Sequence, residues 1–445
     1  ALSHSKLEDL QEFTESKTAT KKLRDDRPDF SKYSNEELFN QYLELLKLHR
    51  KYFSQHIFTT YMATVPVGII SGVANAVGRP DLLLPIIAGF GEVDSAEPSH
   101  AMWDMGRLVR SNDDLTAEFE KGITGLIDRL LQSESPEASE FLKAFEHFIY
   151  EYGSRGPNEW EARSPSWETR PELALNAIDR MRLAGDELAP KTQNAKRATQ
   201  REQAATELLS LVETDPEVHG ELAVGIAASA AWLPARERTK TNNIRLIHEM
   251  RMIMRAIGAR MVEKNAFDEI EDFGFVTEEE YASLFKEPTS MLNIIRSRRD
   301  EYYKLLEREA QFLFDGQADH PDTWRRRDAV SEDVLAEGEA LQGMPGCTGS
   351  AEGTARVILD SNDPTSLQPG DILVAPLTDP SWTPLFVPAA AVVVDVGAPL
   401  SHAIIVSREL GIPCVVSATD ATRRIPDGAR INVNGDTGVI TVLEV

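Results

Sequence analysis

A histidine at a strand-to-helix junction is the residue of this sequence best placed to do chemistry. The stretch VVVDVGAPLSHAIIVSRELGIPCVV covers residues 392–416. An apolar run of strand character stops at Gly397. Pro399, Leu400 and Ser401 supply a turn, and HAIIVSREL then reads as a short helix ended by Gly411 and Pro413. His402 opens that helix, with Ser401 as its N-cap. A helix N-terminus offers free N–H groups and partial positive charge, so it favours anions. A neutral imidazole there is a usable nucleophile near pH 7. A phosphoryl group taken up by His402 would place its charge where the helix stabilises it, and Gly397 and Ala398 would leave the approach open. The same position also suits a structural histidine, and spacing alone leaves both readings standing.

Three further groups could handle charge or an apolar substrate. In ARERTKTNN (235–243), Arg236 and Lys240 are four apart and share a helix face, with Glu237 beside them. A guanidinium and an ammonium on one face could hold a phosphoryl group in transfer, or they could form a solvated face. In YEYGSRGPNEWEARSPSWE (150–168), Gly153, Gly156 and Pro157 break a helix while Arg155, Glu159, Glu161 and Arg163 crowd the loop. Its alternative is a solvated turn with surface ion pairs. In SAEPSHAMWDMGRLVR (95–110), Met102 and Trp103 suit either an apolar acceptor or a core, and His100 reads as structural. No G-x-x-x-x-G-K-[ST] phosphate loop occurs, and no metal ligand set is expected.

The elements that must position these residues fall into two textures. Ser34 and Glu37 form a capping-box pattern ahead of an apolar helical run, and helical readings recur through most of the first 330 residues. Ile247, Met250, Met254, Ile257 and Met261 step by three and four, which predicts a core stripe. After about residue 340, short β-rich runs replace the helices: TARVIL, DILVAP, AAVVVDV, IPCVVSA, RINVNG and GVITVLEV. The expected organisation is a polar N-terminal segment (1–33) and a large all-α domain (34–329). A helical or hinge-like linker (330–342) then leads to a small domain of mixed α/β character (343–445).

The formal charge of −25 argues against nucleic acid or an anionic membrane as partner. Cys347 and Cys414 are the two cysteines, which gives no disulfide framework and suits a cytoplasmic location. The start lacks a signal-peptide pattern. Residues 54–78 contain no Asp, Glu, Lys or Arg but carry Thr, Ser, Asn and Pro66, so a buried, irregular run of a soluble core is expected rather than a membrane span.

GAPLSHAIIVSRELGIPCVV closely resembles the phosphohistidine signature of phosphoenolpyruvate-utilising enzymes, and GDILVAPLTDPSWTPLF resembles the matching segment of the same swivelling domain. Ala398 stands where that family often has a second glycine, and Ser407 where alanine is common. YEYGSRGPNEWEARSPSWE and the Arg-Glu-x-x-Lys pattern resemble the helical acceptor-binding domain of rifampin phosphotransferases and phosphoenolpyruvate-synthase-like proteins, with Ser154 in place of a common histidine. The resemblance implies a β/β/α phosphohistidine swivelling domain behind the helical one, with His402 as phosphoryl carrier. It implies phosphoryl stabilisation by Arg236, Lys240 and Ser401, and acceptor binding by Arg155, Glu159, Glu237, Met102 and Trp103. It further implies a dikinase-type phosphotransferase acting on a small organic hydroxyl compound, with AMP and phosphate released. ATP and Mg2+ would enter through a separate or absent ATP-grasp part, as in phenylphosphate synthase, with neither bound by this chain. His402, once free of phosphate, would take the acceptor's proton. The alternatives are a ligase that condenses a phosphorylated acceptor and a non-catalytic phosphocarrier.

Overall fold

The computed structural model describes residues 10–90, 93–186, 189–311, 314–327, 333–359, 367–378, 382–398 and 401–445. Two long helices, Asn35–Ala76 and Pro216–Glu263, dominate the helical part. The first starts on the expected capping box. Ser34 N–H donates to Glu37 Oε2 at 2.7 Å, and Glu37 N–H donates to Ser34 Oγ at 3.2 Å, so two N–H groups that helix geometry leaves over are satisfied reciprocally. The helix then continues through Pro66. The expectation of an irregular, buried run over 54–78 is therefore corrected on both counts. One missing N–H does not break a 42-residue helix whose other turns stay bonded. Phe53, Ile57, Tyr61 and Val65, each four apart on one face, are exposed. Among the described residues, this is the one helix long and apolar enough to cross a membrane by length and composition alone.

The N-terminal segment read as a polar tail contains the helix Gln11–Asp25. Polar partners hold it. Thr20 Oγ1 donates to Asn242 Oδ1 at 3.1 Å, Asn242 Nδ2 donates to Ser16 Oγ at 2.9 Å, and Lys17 pairs with Asp94 at 2.7 Å. A helix docked through hydroxyls and amides carries no apolar stripe to announce it in the sequence.

Packing gathers Ala1–Lys21, Lys51–Arg245 and Val334–Val445 into one compact unit, and Lys22–Arg50 with Leu246–Asp333 into a second. One packing boundary, at 333/334, falls within the expected 330–342 linker, whereas the others fall inside the helices Gln11–Asp25, Asn35–Ala76 and Pro216–Glu263, where texture does not change. In the second unit the stripe Ile247, Met250, Met254, Ile257 and Met261 is buried, as its spacing requires. A cavity of about 660 Å³ there, lined by Leu23, Arg27, Phe30, Arg50, Glu249 and Ile253 among others, includes none of the residues singled out in the sequence.

In the first unit, eight described strands form one sheet: β1 (Ala340–Gln342), β2 (Met344–Cys347), β3 (Ser350–Val357), β4 (Ile372–Ala375), β5 (Ala391–Val394), β6 (Cys414–Val416), β7 (Arg430–Asn434) and β8 (Val439–Glu444). The order is β1-β8-β7-β3-β4-β5-β6-β2, parallel from β3 to β6 and antiparallel towards both edges. The six expected strand runs are all present. The linker reading changes at its end, because Leu341 pairs with Ile440 across β1 and β8, and none of residues 333–342 is helical.

Strands β4, β5 and β6 are buried throughout, which explains their unbroken apolar sequence. Their alternate residues enter different cores. Ile372, Val374, Val393 and Val415 pack with Ile431 and Ile440. Leu373, Val392, Val394 and Val416 share a second core with Ile404 and Phe386, and with Met102 and Phe141 of the helical segment. The sheet face beneath His402 is thus continuous with the helical core.

Candidate functional site

The helix His402–Leu410 begins at Ser401, whose backbone is extended (φ −70°, ψ 156°). Ser401 makes no side-chain cap, and its buried Oγ has no hydrogen-bond partner among the described residues. The expected glycine stop is present. Gly411 has φ 79°, a conformation that L side chains rarely adopt, and a Cβ there would lie 2.6 Å from Gln193 Oε1. The end of the His402 helix therefore meets the helix Pro190–Leu211 at a glycine. Gly397 is explained by packing, since a Cβ would sit 2.6 Å from Val416 Cβ. Pro399 and Leu400 of the expected turn lie outside the described residues.

His402 is half-buried, with Nδ1 3.1 Å from Thr378 Oγ1 and the Phe386 ring edge-on at 5.8 Å. Burial, then the charges of Lys240 and Arg155, hold its pKa well below the usual value. The ring is neutral at pH 7, so it is a nucleophile rather than an imidazolium.

Those two cations come from the segments singled out in the sequence. The loop after the helix Pro136–Tyr152 folds back on itself, with Trp167 N–H donating to Arg155 O and Glu168 N–H to Gly153 O at 2.8 and 2.9 Å. This buries Arg155 and Glu159, which are 2% and 1% exposed, so the alternative of a solvated turn is set aside. Arg155 Nε lies 2.7 Å from Glu159 Oε2, and Lys240 Nζ lies 3.0 Å from Glu159 Oε1. Arg155 also donates to Thr241 Oγ1 at 3.1 Å. One buried carboxylate thus holds two cations beside the imidazole. Glu237 is buried and pairs with Arg236. Burial pushes its pKa up, but Arg236, Lys240 and Arg155 outweigh that and hold it below the usual carboxylate value.

The sequence candidates separate into two groups. Arg155, Glu159 and Lys240 meet, and the charges of Lys240 and Arg155 act on His402, with Arg236 and Glu237 adjoining through Lys240. Met102 and Trp103 lie in the core, the second of the two readings their sequence left open. Both are buried among Phe141, Phe148 and Trp167 because their face of the helix Glu97–Arg110 turns into the apolar core, so they pack and do not line an acceptor site. Sequence reading missed Thr378 and His56. His56 is buried, with Nδ1 3.0 Å from Thr239 Oγ1 and its ring 5.8 Å from that of Trp160. It stands in the charge-free run, where no spacing pattern marks it.

Residues 55–237 match the family described as rifampicin phosphotransferase fourth domain, and residues 367–438 match the mobile domain of PEP-utilising enzymes. A rifampicin phosphotransferase of Streptomyces sviceus is 31% identical over 356 residues, covering 78% of this chain and 40% of the relative. An uncharacterized phosphotransferase, YvkC, of Bacillus subtilis is 29% identical over 356 residues, covering 78% of this chain and 42% of its own. A rifampicin phosphotransferase of Bacillus cereus is 28% identical over 356 residues, covering 78% and 40%. The chain spans about two fifths of the length of these relatives. The chain is similar to the rifampicin phosphotransferases, with residues 55–237 matching their fourth domain and residues 367–438 the mobile domain of PEP-utilising enzymes, in that order.

Proposed function

We propose that the chain is the acceptor-binding and phosphohistidine-carrying part of an ATP-dependent phosphotransferase, and that His402 carries the phosphoryl group. The observation that supports this best is a neutral imidazole whose pKa is lowered by the charges of Lys240 and Arg155 inside one packed unit. With Nδ1 engaged by Thr378, the phosphoryl group is assigned to Nε2. Arg155 and Lys240 then neutralise its oxygens, a charge-assisted role that weakens their hold on Glu159 while the group is present. An ATP-grasp part outside this sequence loads His402 and releases AMP and phosphate. A hydroxyl of an organic acceptor takes the group, and the exposed Phe53, Ile57 and Trp160 next to His56 suit an apolar body for that acceptor. Splitting the transfer in two lets one ring serve two separate substrates.

Mg2+ would accompany ATP.

The test is loading with β-labelled ATP in the presence of the ATP-grasp part, or with phosphoramidate as a chemical donor. Acid-labile, alkali-stable label on wild type and its absence from His402→Ala support the carrier role. Normal labelling of His402→Ala overturns it.

A further inference from the structure

We infer that His56 is the general base that takes the acceptor's hydroxyl proton, a role that rests on the phosphocarrier reading of His402. Its tautomer follows from the hydrogen bonds. Thr239 Oγ1 lies 3.1 Å from the Arg236 carbonyl oxygen, and its one hydroxyl proton is assigned to that oxygen. At 3.0 Å from His56 Nδ1, the Thr239 oxygen can then only accept. His56 therefore carries its proton on Nδ1 and a lone pair on Nε2. Nε2 makes no hydrogen bond to the described residues, so the basic nitrogen stays available.

Position favours the same residue. In a phosphoryl transfer the attacking and leaving atoms lie in line on opposite sides of phosphorus. The departing Nε2 of His402 is then the atom farthest from the incoming hydroxyl, and a base must sit on the acceptor side. His56 packs against Trp160, whose ring is edge-on to the exposed Phe53 at 6.0 Å, so it borders exposed apolar surface that suits an acceptor. Lys240 is the shared electrostatic neighbour of both histidines.

The charges around His56 give it the right timing. They are Arg236, Glu237 and Lys240 of the helix Pro216–Glu263. Burial first, then Arg236, and more weakly Lys240, lower its pKa to about 4, with Glu237 pulling it up by more than Lys240 lowers it. A dianionic phosphoryl group beside Lys240 offsets that positive charge, so His56 becomes more basic only when a loaded His402 is in place.

The step balances. The acceptor oxygen forms a bond to phosphorus as the P–Nε2 bond of His402 breaks and its electron pair returns to that nitrogen. The hydroxyl proton passes to His56 Nε2, and the resulting imidazolium releases it to solvent after the products separate.

The experiment loads the chain with phosphoramidate and follows transfer to benzyl alcohol, and to water in its absence, per phosphorylated chain. His56→Gln is expected to slow transfer about a hundredfold and to flatten the acid limb of its pH profile. Added imidazole is expected to restore part of the rate in His56→Ala, which a merely structural role would not allow. Thr239→Val, which frees the tautomer, serves as the second variant and is expected to slow transfer about tenfold. Rates within threefold of wild type in His56→Gln and Thr239→Val, with unchanged pH profiles, overturn the base role and leave the carrier reading intact. A wild-type chain that takes no phosphoryl group on His402 overturns both.

Discussion

Glu159→Gln tests whether the site is an interlocked charge triad. The substitution keeps the side chain's shape and removes the carboxylate that Arg155 and Lys240 share at 2.7 and 3.0 Å. The side chains of Arg155, Glu159 and Lys240 are 2%, 1% and 14% exposed, so little water is present to replace the lost partner. With charge centres about 4 Å apart and an effective dielectric of about 20, each attraction is worth about 4 kcal/mol. Desolvation of the ions opposes that gain, and removal of one member of a buried pair typically costs about 3–5 kcal/mol. We expect Glu159→Gln to destabilise the unit holding the site by about 3–5 kcal/mol at pH 7, read as a lower urea midpoint by circular dichroism. Removing one stranded cation as well, in Glu159→Gln/Lys240→Met, is expected to recover part of the loss. A change under about 1 kcal/mol for the single variant would show that the three charges are solvated, and the account of the site would fail.

Thr378→Val removes the partner of His402 Nδ1 and is expected to slow phosphoramidate loading about tenfold through loss of ring orientation, measured as initial label uptake. Because His56 is held near 4 when folded and its ordinary value is 6.5, the unfolded chain takes up a proton that the folded chain refuses between those limits. Above pH 6.5 the residue contributes nothing, and stability falls as pH drops towards 4, by about 2 kcal/mol after allowance for solvent screening. Urea titrations of wild type and His56→Gln at pH 7 and pH 4.5 measure the difference, and parallel pH dependence would refute it. Gly411→Ala forces a side chain into φ 79° against Gln193 and is expected to cost about 1–2 kcal/mol by thermal unfolding.

What the sequence revealed and what it hid both have physical causes. Strands β4 to β6 were legible because a parallel sheet buried on both faces needs unbroken apolar runs. The Met stripe and the Ser34 box were legible because helix period and capping act over a few residues. The burial of Arg155 and Glu159 was not, since charged side chains in a Gly- and Pro-rich loop look solvated until Thr241 and Lys240 arrive from about 80 residues away. His56 was hidden for a similar reason, because its tautomer depends on a Thr239 hydroxyl that only the tertiary fold brings near. The helix Gln11–Asp25 escaped because its anchors are Ser16, Lys17 and Thr20 rather than apolar residues.

The apolar core that joins Phe386 and Ile404 to Met102 and Phe141 has a kinetic corollary. On the proposed carrier role, a ring whose phosphoryl group engages Arg155 and Lys240 would not at the same moment face a nucleotide, and each cycle would part that core and re-form it. Separation wets buried hydrocarbon and therefore acts as a clock on turnover. Slowing solvent motion with viscogens should lengthen the cycle even when the chemistry at His402 is untouched.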